Sequence, residues 1–359
     1  MTLPQRRYED DGGYTVAMQL PPPITSRTNA KVKALRAALS GKASNAGDLL
    51  GLEGEHLIRE AHWAGFNFDT IYLREGSESF LDVPDDLARR EGCAQRADAW
   101  HKELRTANWA VLSRDVFDSA VTTTTPQGIA ATWVIRDPIR DKPDPPAGLI
   151  VEDLQDPGNL GTLIRSAAAF GAGDIMVTPG TVNHWNPKVV RSAMGAIFRE
   201  KVTKLPIEEI VNRLHAEGVR IFAAVSGFLM GPEYGYPVKA ARHGVLTGRI
   251  ENQDAPIGLR YGVSIPDRDE AIFDRHESRQ PVYAASSSYD TDFVQPWAIM
   301  IGNEGAGLSL KARQLADEQV LIPCSVESLN AAVAGSVLMY EAMRQIPLRV
   351  WAKRQGLRK

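Results

Sequence analysis

Three short stretches hold the residues whose types and spacing could do chemistry. The first, Asp156-Pro157-Gly158-Asn159-Leu160-Gly161-Thr162-Leu163-Ile164-Arg165, sets one arginine on a helix otherwise made of small and apolar residues. A guanidinium keeps its charge at any ordinary pH, so Arg165 can hold an anion or steady a developing negative charge, and makes a poor base. The second, Gly302-Asn303-Glu304-Gly305-Ala306-Gly307, sets one acid among glycines, which let a backbone approach a ligand closely. Its spacing is not the Gly-x-Gly-x-x-Gly of a dinucleotide fold. The third, Ser328-Leu329-Asn330, offers a hydroxyl and an amide after Ile322-Pro323.

Each stretch needs a strand to deliver it and a helix to carry the chain away. Leu149-Ile150-Val151 followed by acids reads as a buried strand running into its carboxyl-end loop. Pro157, Gly158 and Gly161 turn the chain, and Asn159 can cap the helix that follows. Leu160, Leu163, Ile164, Ala167, Ala168 and Phe170 form its apolar stripe, and Gly171 suits its C′ position. With a strand at 175–177 this makes a β-turn-α-β unit. Residues 297–301 and 319–322 read as the strands before the second and third stretches, and 328–343 as a helix of small residues. Loops of this kind gather outside the carboxyl ends of the strands, where open α/β sheets bind ligands.

Taken together, the stretches resemble motifs 1, 2 and 3 of the SpoU/TrmH family of RNA ribose 2′-O-methyltransferases. The match is Asn159-x-Gly161-x-x-x-Arg165, with Asp156-Pro157 before it and Ala169-Phe170-Gly171 after it. Gly302-x-Glu304-x-x-Gly307 follows, then Ile322-Pro323 with Ser328-Leu329-Asn330. The run Arg191-Ser192-Ala193-Met194-Gly195-Ala196 also looks like the family. The third motif departs from the pattern: its loop is shorter, lacks the customary glycine, and has Ala331 where valine is typical.

The resemblance implies S-adenosylmethionine as methyl donor and a ribose 2′-hydroxyl of structured RNA, rRNA rather than tRNA, as acceptor. It implies that backbone around Gly302, Gly307, Ile322 and Leu329 holds the adenosyl part. Asn159, Arg165, Glu304, Ser328 and Asn330 would then line the reacting end, with Glu304 orienting the loop or Arg165. A homodimer and a deep trefoil knot come with the family, although knots are rare among folds. Two other readings stay open: an RNA-binding protein of the same fold without activity, and a cysteine-dependent RNA cytosine methyltransferase using Cys324. The second of these usually has a different, unknotted fold.

The expected fold class is therefore α/β, with a small α/β RNA-binding domain ahead of a knotted methyltransferase domain. Residues 1–23 are polar, end in three prolines and read as a flexible tail. Residues 24–135 alternate helix and strand, the first helix covering 29–39 and carrying Lys31, Lys33 and Arg36. Asn29-x-x-Val32-Lys33-x-Leu35 and Glu53-Gly54-x-x-Leu57-x-x-Glu60-Ala61 resemble the substrate-binding domain fused ahead of many SpoU enzymes. Those three cations are candidate RNA contacts, as are Lys188 and Arg191, and Lys353 and Arg354 in a basic carboxy-terminal tail. Residues 136–147, rich in proline and charge, form the linker, and 148–359 the second domain. Within it, residues 226–280 lack any sustained period and read as an insertion.

A chain of 359 residues is long enough for two cores. Its net charge of −3 excludes a globally basic nucleic-acid binder and leaves RNA affinity to local patches. Two cysteines, far apart, exclude a disulfide scaffold or a cysteine-rich zinc site and fit a reducing compartment. No metal is expected, no apolar run could span a bilayer, and the start has no leader pattern. A cytoplasmic protein is the expectation.

Overall fold

The computed structural model describes residues 20–77 (except 44 and 46), 102–136 (except 105), 146–226, 272–273, 281–282, 285–288, 291–293 and 296–347 (except 325 and 327). Most of the tail, most of the linker, most of the insertion, and Lys353 and Arg354 lie outside these residues. The described residues fall into two compact units. One takes the chain through residue 136 and also Asn183–Arg199, a segment that the sequence reading runs within the second domain.

The first unit opens with α1 (Ala30–Leu39), capped by the Asn29 side chain, which accepts from the Lys31 N–H. Then come β1 (Leu49–Glu53), α2 (Glu55–Trp63), β2 (Phe68–Arg74), β3 (Trp109–Leu112), α3 (Arg114–Ala120) and β4 (Ile129–Val134). The strands order as β1-β4-β2-β3, with β2 and β3 parallel and the other pairs antiparallel. Val32, Leu35 and Leu39 of α1 recur at helical spacing and pack on Tyr72, Leu112, Val116 and Phe117. Residues 183–199 add aromatic mass to the same unit. Trp185 and Phe198 meet Trp133 edge-on, their ring centroids 5.6 and 5.4 Å away, and Phe66 meets it at 4.2 Å.

The second unit starts with β5 (Ala147–Val151), α4 (Pro157–Phe170) and β6 (Asp174–Val177). After α5 (Pro187–Ala193), which belongs to the first unit, the chain forms β7 (Lys201–Lys204), α6 (Ile207–Ala216) and β8 (Arg220–Val225). The short strands β9 (Ile272–Phe273) and β10 (Pro281–Val282) pair with each other. β11 (Ser286–Ser287), β12 (Trp297–Ile301), α7 (Leu310–Leu315), β13 (Glu318–Leu321) and α8 (Ala331–Gln345) complete it. The seven-stranded sheet orders as β11-β13-β8-β12-β5-β6-β7, and every pair is parallel. Strands buried on both faces explain the unbroken apolar runs of β5 and β12.

On one face, Ile210, Val211 and Leu214 of α6 and Ala312 of α7 pack against Ile150, Met176, Ile221 and Met300. Ile301 alternates to the other face and meets α8 at Gly335. A Cβ on Gly335 would stand 2.4 Å from Leu163 Cδ2, so glycine is what lets α8 lie this close to α4. The Ser166 and Ser336 hydroxyls, 2.7 Å apart, join the two helices.

Two expectations are corrected here. The cap of α4 is Asp156, whose Oδ1 accepts from the Asn159 N–H at 2.9 Å, so the Asn159 side chain is free for other work. The last helix begins at Ala331, because Asn330 caps it, and extends to Gln345. The Ser286-Ser287 run is an edge strand paired to β13. No described helix is long and apolar enough to cross a membrane.

Candidate active site

β5 and β12 lie side by side and parallel, so the loops that follow them leave the sheet at one end. Glu152 follows β5 directly. Its N–H donates to the Ile301 carbonyl at 2.8 Å, and its buried carboxylate accepts from the Ser309 N–H at 2.8 Å and the Ser309 hydroxyl at 2.7 Å. Asp153 then takes a left-handed φ of 51°, which a short polar side chain tolerates better than most. Its carbonyl accepts from Asn303 Nδ2 at 2.9 Å and Gln155 Nε2 at 3.1 Å.

The loop after β12 is a closed turn. Asn303 and Gly307 exchange two backbone bonds of 3.1 and 2.9 Å, and Asn303 Oδ1 accepts from the Gly305 and Ala306 N–H groups. A Cβ on Gly302 would sit 2.3 Å from the Gly307 carbonyl carbon and the Leu308 nitrogen, so no side chain fits there. That packing holds Glu304 out from the turn and against the loop after β5. Its Oε2 accepts from the Gln155 N–H at 3.3 Å, and its Oε1 from the Asp156 N–H and Asn159 Nδ2, both at 3.0 Å.

The third loop joins through Asn330. Its Nδ2 donates to Asn159 Oδ1 at 3.0 Å, and its own Oδ1 accepts from the Ala332 and Val333 N–H groups at the start of α8. The direction of this relay is forced. Helix N–H groups only donate, so the Asn330 oxygen must face them and its NH2 must point to Asn159. Asn159 then turns its own NH2 outward, where only an acceptor fits, and the Glu304 carboxylate is one. Burial pushes the Glu304 carboxyl upward, but bonds from Asn159 and from the backbone of Glu304, Asp156 and Gln155 outweigh it and hold the group below its ordinary value. Glu304 thus stays ionised.

The structure therefore brings Asn159, Glu304 and Asn330 into one chain of bonds. Arg165 stands exposed on α4, with no hydrogen bond or ion pair to the described residues, and Ser328 is likewise exposed and unbonded. Glu304 orients the loop after β5, and no bond joins it to Arg165. Gly307 is exposed, while Ile322 and Leu329, in the loop after β13, are half-buried. Cys324 is half-buried, its thiol 3.2 Å from the Val326 carbonyl. Among the described residues no group of acids, histidines and cysteines is placed to hold a metal.

The candidate RNA cations divide. Lys31 donates to Asn108 Oδ1 at 3.0 Å and the Trp109 carbonyl at 3.1 Å, tying α1 to β3. Arg36 donates to the Ser119 carbonyl at 3.3 Å and hydroxyl at 3.1 Å, tying α1 to α3. Lys33 is exposed and has no such bond. Arg191 donates to the Thr122 hydroxyl at 3.3 Å, and Lys188 is exposed at the start of α5. Sequence reasoning passed over Glu152, Asn303 and Ser309, which shape the loops. An acid directly after an apolar strand was the only signal for the first.

Residues 146–239 and 265–340 match the model of the SpoU rRNA Methylase family. An uncharacterized tRNA/rRNA methyltransferase of Synechocystis is 29% identical over 330 residues, 90% of this chain and 93% of that protein. The human mitochondrial rRNA methyltransferase 3 is 34% identical over 220 residues, covering 56% of this chain and 47% of that longer protein. The 23S rRNA (guanosine(2553)-2′-O)-methyltransferase of Bacillus subtilis is 27% identical over 319 residues, 88% of this chain and 97% of its own length. An AdoMet-bound rRNA methyltransferase structure from Sinorhizobium meliloti shares the fold, with a TM-score of 0.58 at 21% identity over 90% of this chain and 97% of that one.

Proposed function

We propose that the chain is a SpoU-family RNA methyltransferase that moves a methyl group from S-adenosylmethionine to a ribose 2′-hydroxyl of structured RNA, rRNA in preference to tRNA. The relay Glu304–Asn159–Asn330 carries this reading, because it links the three motif loops in one bonded line at the carboxyl ends of the strands. The cofactor would supply an electrophilic methyl on a sulfonium cation. Two observations fit such a group: a carboxylate held ionised beside the loops, and a turn whose exposed Gly305 and Gly307 leave backbone open to an adenosyl group.

A ribose hydroxyl is a weak nucleophile, so the protein must orient it and favour the developing alkoxide. Arg165, charged and unpaired among the described residues, serves as a fixed cation for a phosphate or for that alkoxide. Asn159 and Asn330 spend their bonds on each other and on Glu304, so their part is to hold the loops in place. Ser328, whose hydroxyl makes no bond among the described residues, positions sugar or cofactor. Lys33, Lys188, Arg191, Lys353 and Arg354 would contact phosphates, which position RNA without reading its sequence.

The reading extends to the trefoil knot and to a homodimer. Val333, Val337 and Tyr340 are 48, 39 and 48% exposed and recur along one side of α8, an apolar stripe that a second copy could cover. Mass spectrometry of nucleosides from a deletion strain tests the activity. One 2′-O-methyl nucleoside should be depleted, and an unchanged profile across rRNA and tRNA refutes it.

A further inference from the structure

We propose that Glu152 is a positioning residue that clasps the start and the exit of the loop after β12, and through it sets the cofactor site. This rests on the reading that the 302–308 loop holds S-adenosylmethionine. The backbone of Glu152 pins the start of that loop, its N–H bonded to Ile301, the last residue of β12. Its carboxylate pins the exit by taking both the amide and the hydroxyl of Ser309. The same hydroxyl accepts from the Ala312 N–H and caps α7, so the exit is fixed to a helix as well as to the acid.

Glu152 is only 7% exposed, and an acid that deep needs its acceptor capacity filled. Two short bonds to one residue supply a donor to each oxygen. The half-buried Arg313, whose charge faces Glu152, donates to the Leu308 carbonyl at 3.2 Å and braces the exit from its other side. Between the two pinned ends lie the Gly302 contact, the Asn303–Gly307 turn and Glu304. A shift of the exit would therefore move the whole turn. Ordinary strand capping would need only the Ile301 bond, and would not require Ser309 at all.

The test uses the full chain with Glu152→Gln, Ser309→Ala and Ser309→Thr. Hydrogen exchange of the 302–308 amides in cofactor-free protein reads the clasp itself. Calorimetry with S-adenosylmethionine and the split between KM and kcat read its effect on the site. Glu152→Gln loses a charge-assisted pair and should bind S-adenosylmethionine about ten-fold more weakly, with KM rising more than kcat falls. Ser309→Ala should move both readouts in the same direction, and Ser309→Thr, which keeps the hydroxyl, should restore them. Should Glu152→Gln fail to fold, Ser309→Ala decides alone. Unchanged exchange, or unchanged affinity in folded variants, overturns the clasp. An unaltered chain that binds no S-adenosylmethionine instead overturns the cofactor reading, and this role with it.

Discussion

Replacing Glu304 by glutamine is the sharpest probe of the relay. Its Oε1 takes two bonds and its Oε2 one, and an amide offers a single acceptor oxygen. Asn159 cannot flip to compensate, because Asn330 is locked by the first N–H groups of α8. The best the variant can do is keep the oxygen toward Asp156 and Asn159, which sets its NH2 against the Gln155 N–H. One bond is lost and two fall from charge-assisted to neutral strength. For an exposed group that is about 1–2 kcal/mol of loop order, or roughly ten-fold in kcat/KM for S-adenosylmethionine. The pH dependence follows with it. A carboxyl lowered on folding stabilises the native state above its unfolded pKa, and that stability is lost as pH falls through the lowered value. Glutamine removes this acid-side loss. Asn159→Asp would set a second carboxylate beside the first, so its turnover at neutral pH should fall further and partly recover on acidification. Single-turnover methyl transfer with saturating RNA measures each variant. Rates for Glu304→Gln within two-fold of the unaltered chain would refute the relay.

Other outcomes are open to direct measurement. Arg165→Ala should keep RNA affinity and cut single-turnover methyl transfer by a factor on the order of a hundred, with little rescue by Arg165→Lys; near-normal turnover removes it from the mechanism. Lys31→Ala should cost about 1 kcal/mol in urea unfolding through its lost bonds, whereas Lys33→Ala should leave stability intact and lower the salt slope of RNA binding by about one unit. Val337→Asp places a charge in the exposed stripe of α8 and should shift the mass in light scattering from dimer to monomer; a monomer before substitution refutes the dimer.

Much of the second unit was legible because local rules and tertiary structure agree there. Apolar runs are buried strands, and Gly302 stands where a side chain would collide with Gly307 and Leu308. What escaped was whatever depends on partners distant in sequence. Asp and Asn cap helices equally well, but Pro157 at the first helical position marks Asp156 as the cap, and Glu304 draws the Asn159 side chain to other work. Serines are weak strand formers, and Ser286-Ser287 becomes a strand only because Val320 and Leu321 lie beside it. The partner of Glu152 lies 157 residues downstream. Lys31 and Arg36 read as candidate RNA contacts, yet they hold α1 to β3 and α3.

The membership of Asn183–Arg199 in the first unit has a consequence for synthesis on the ribosome. Trp133 gains two of its ring neighbours, Trp185 and Phe198, only when that segment has been made, about sixty residues after the unit's first stretch ends at Pro138. At roughly 5–20 residues per second the aromatic core waits some seconds in an unfinished state, while β5, α4 and β6 of the other unit emerge first. The order of folding is therefore not the order of the domains along the chain: the unit that begins first is completed only after the second has begun.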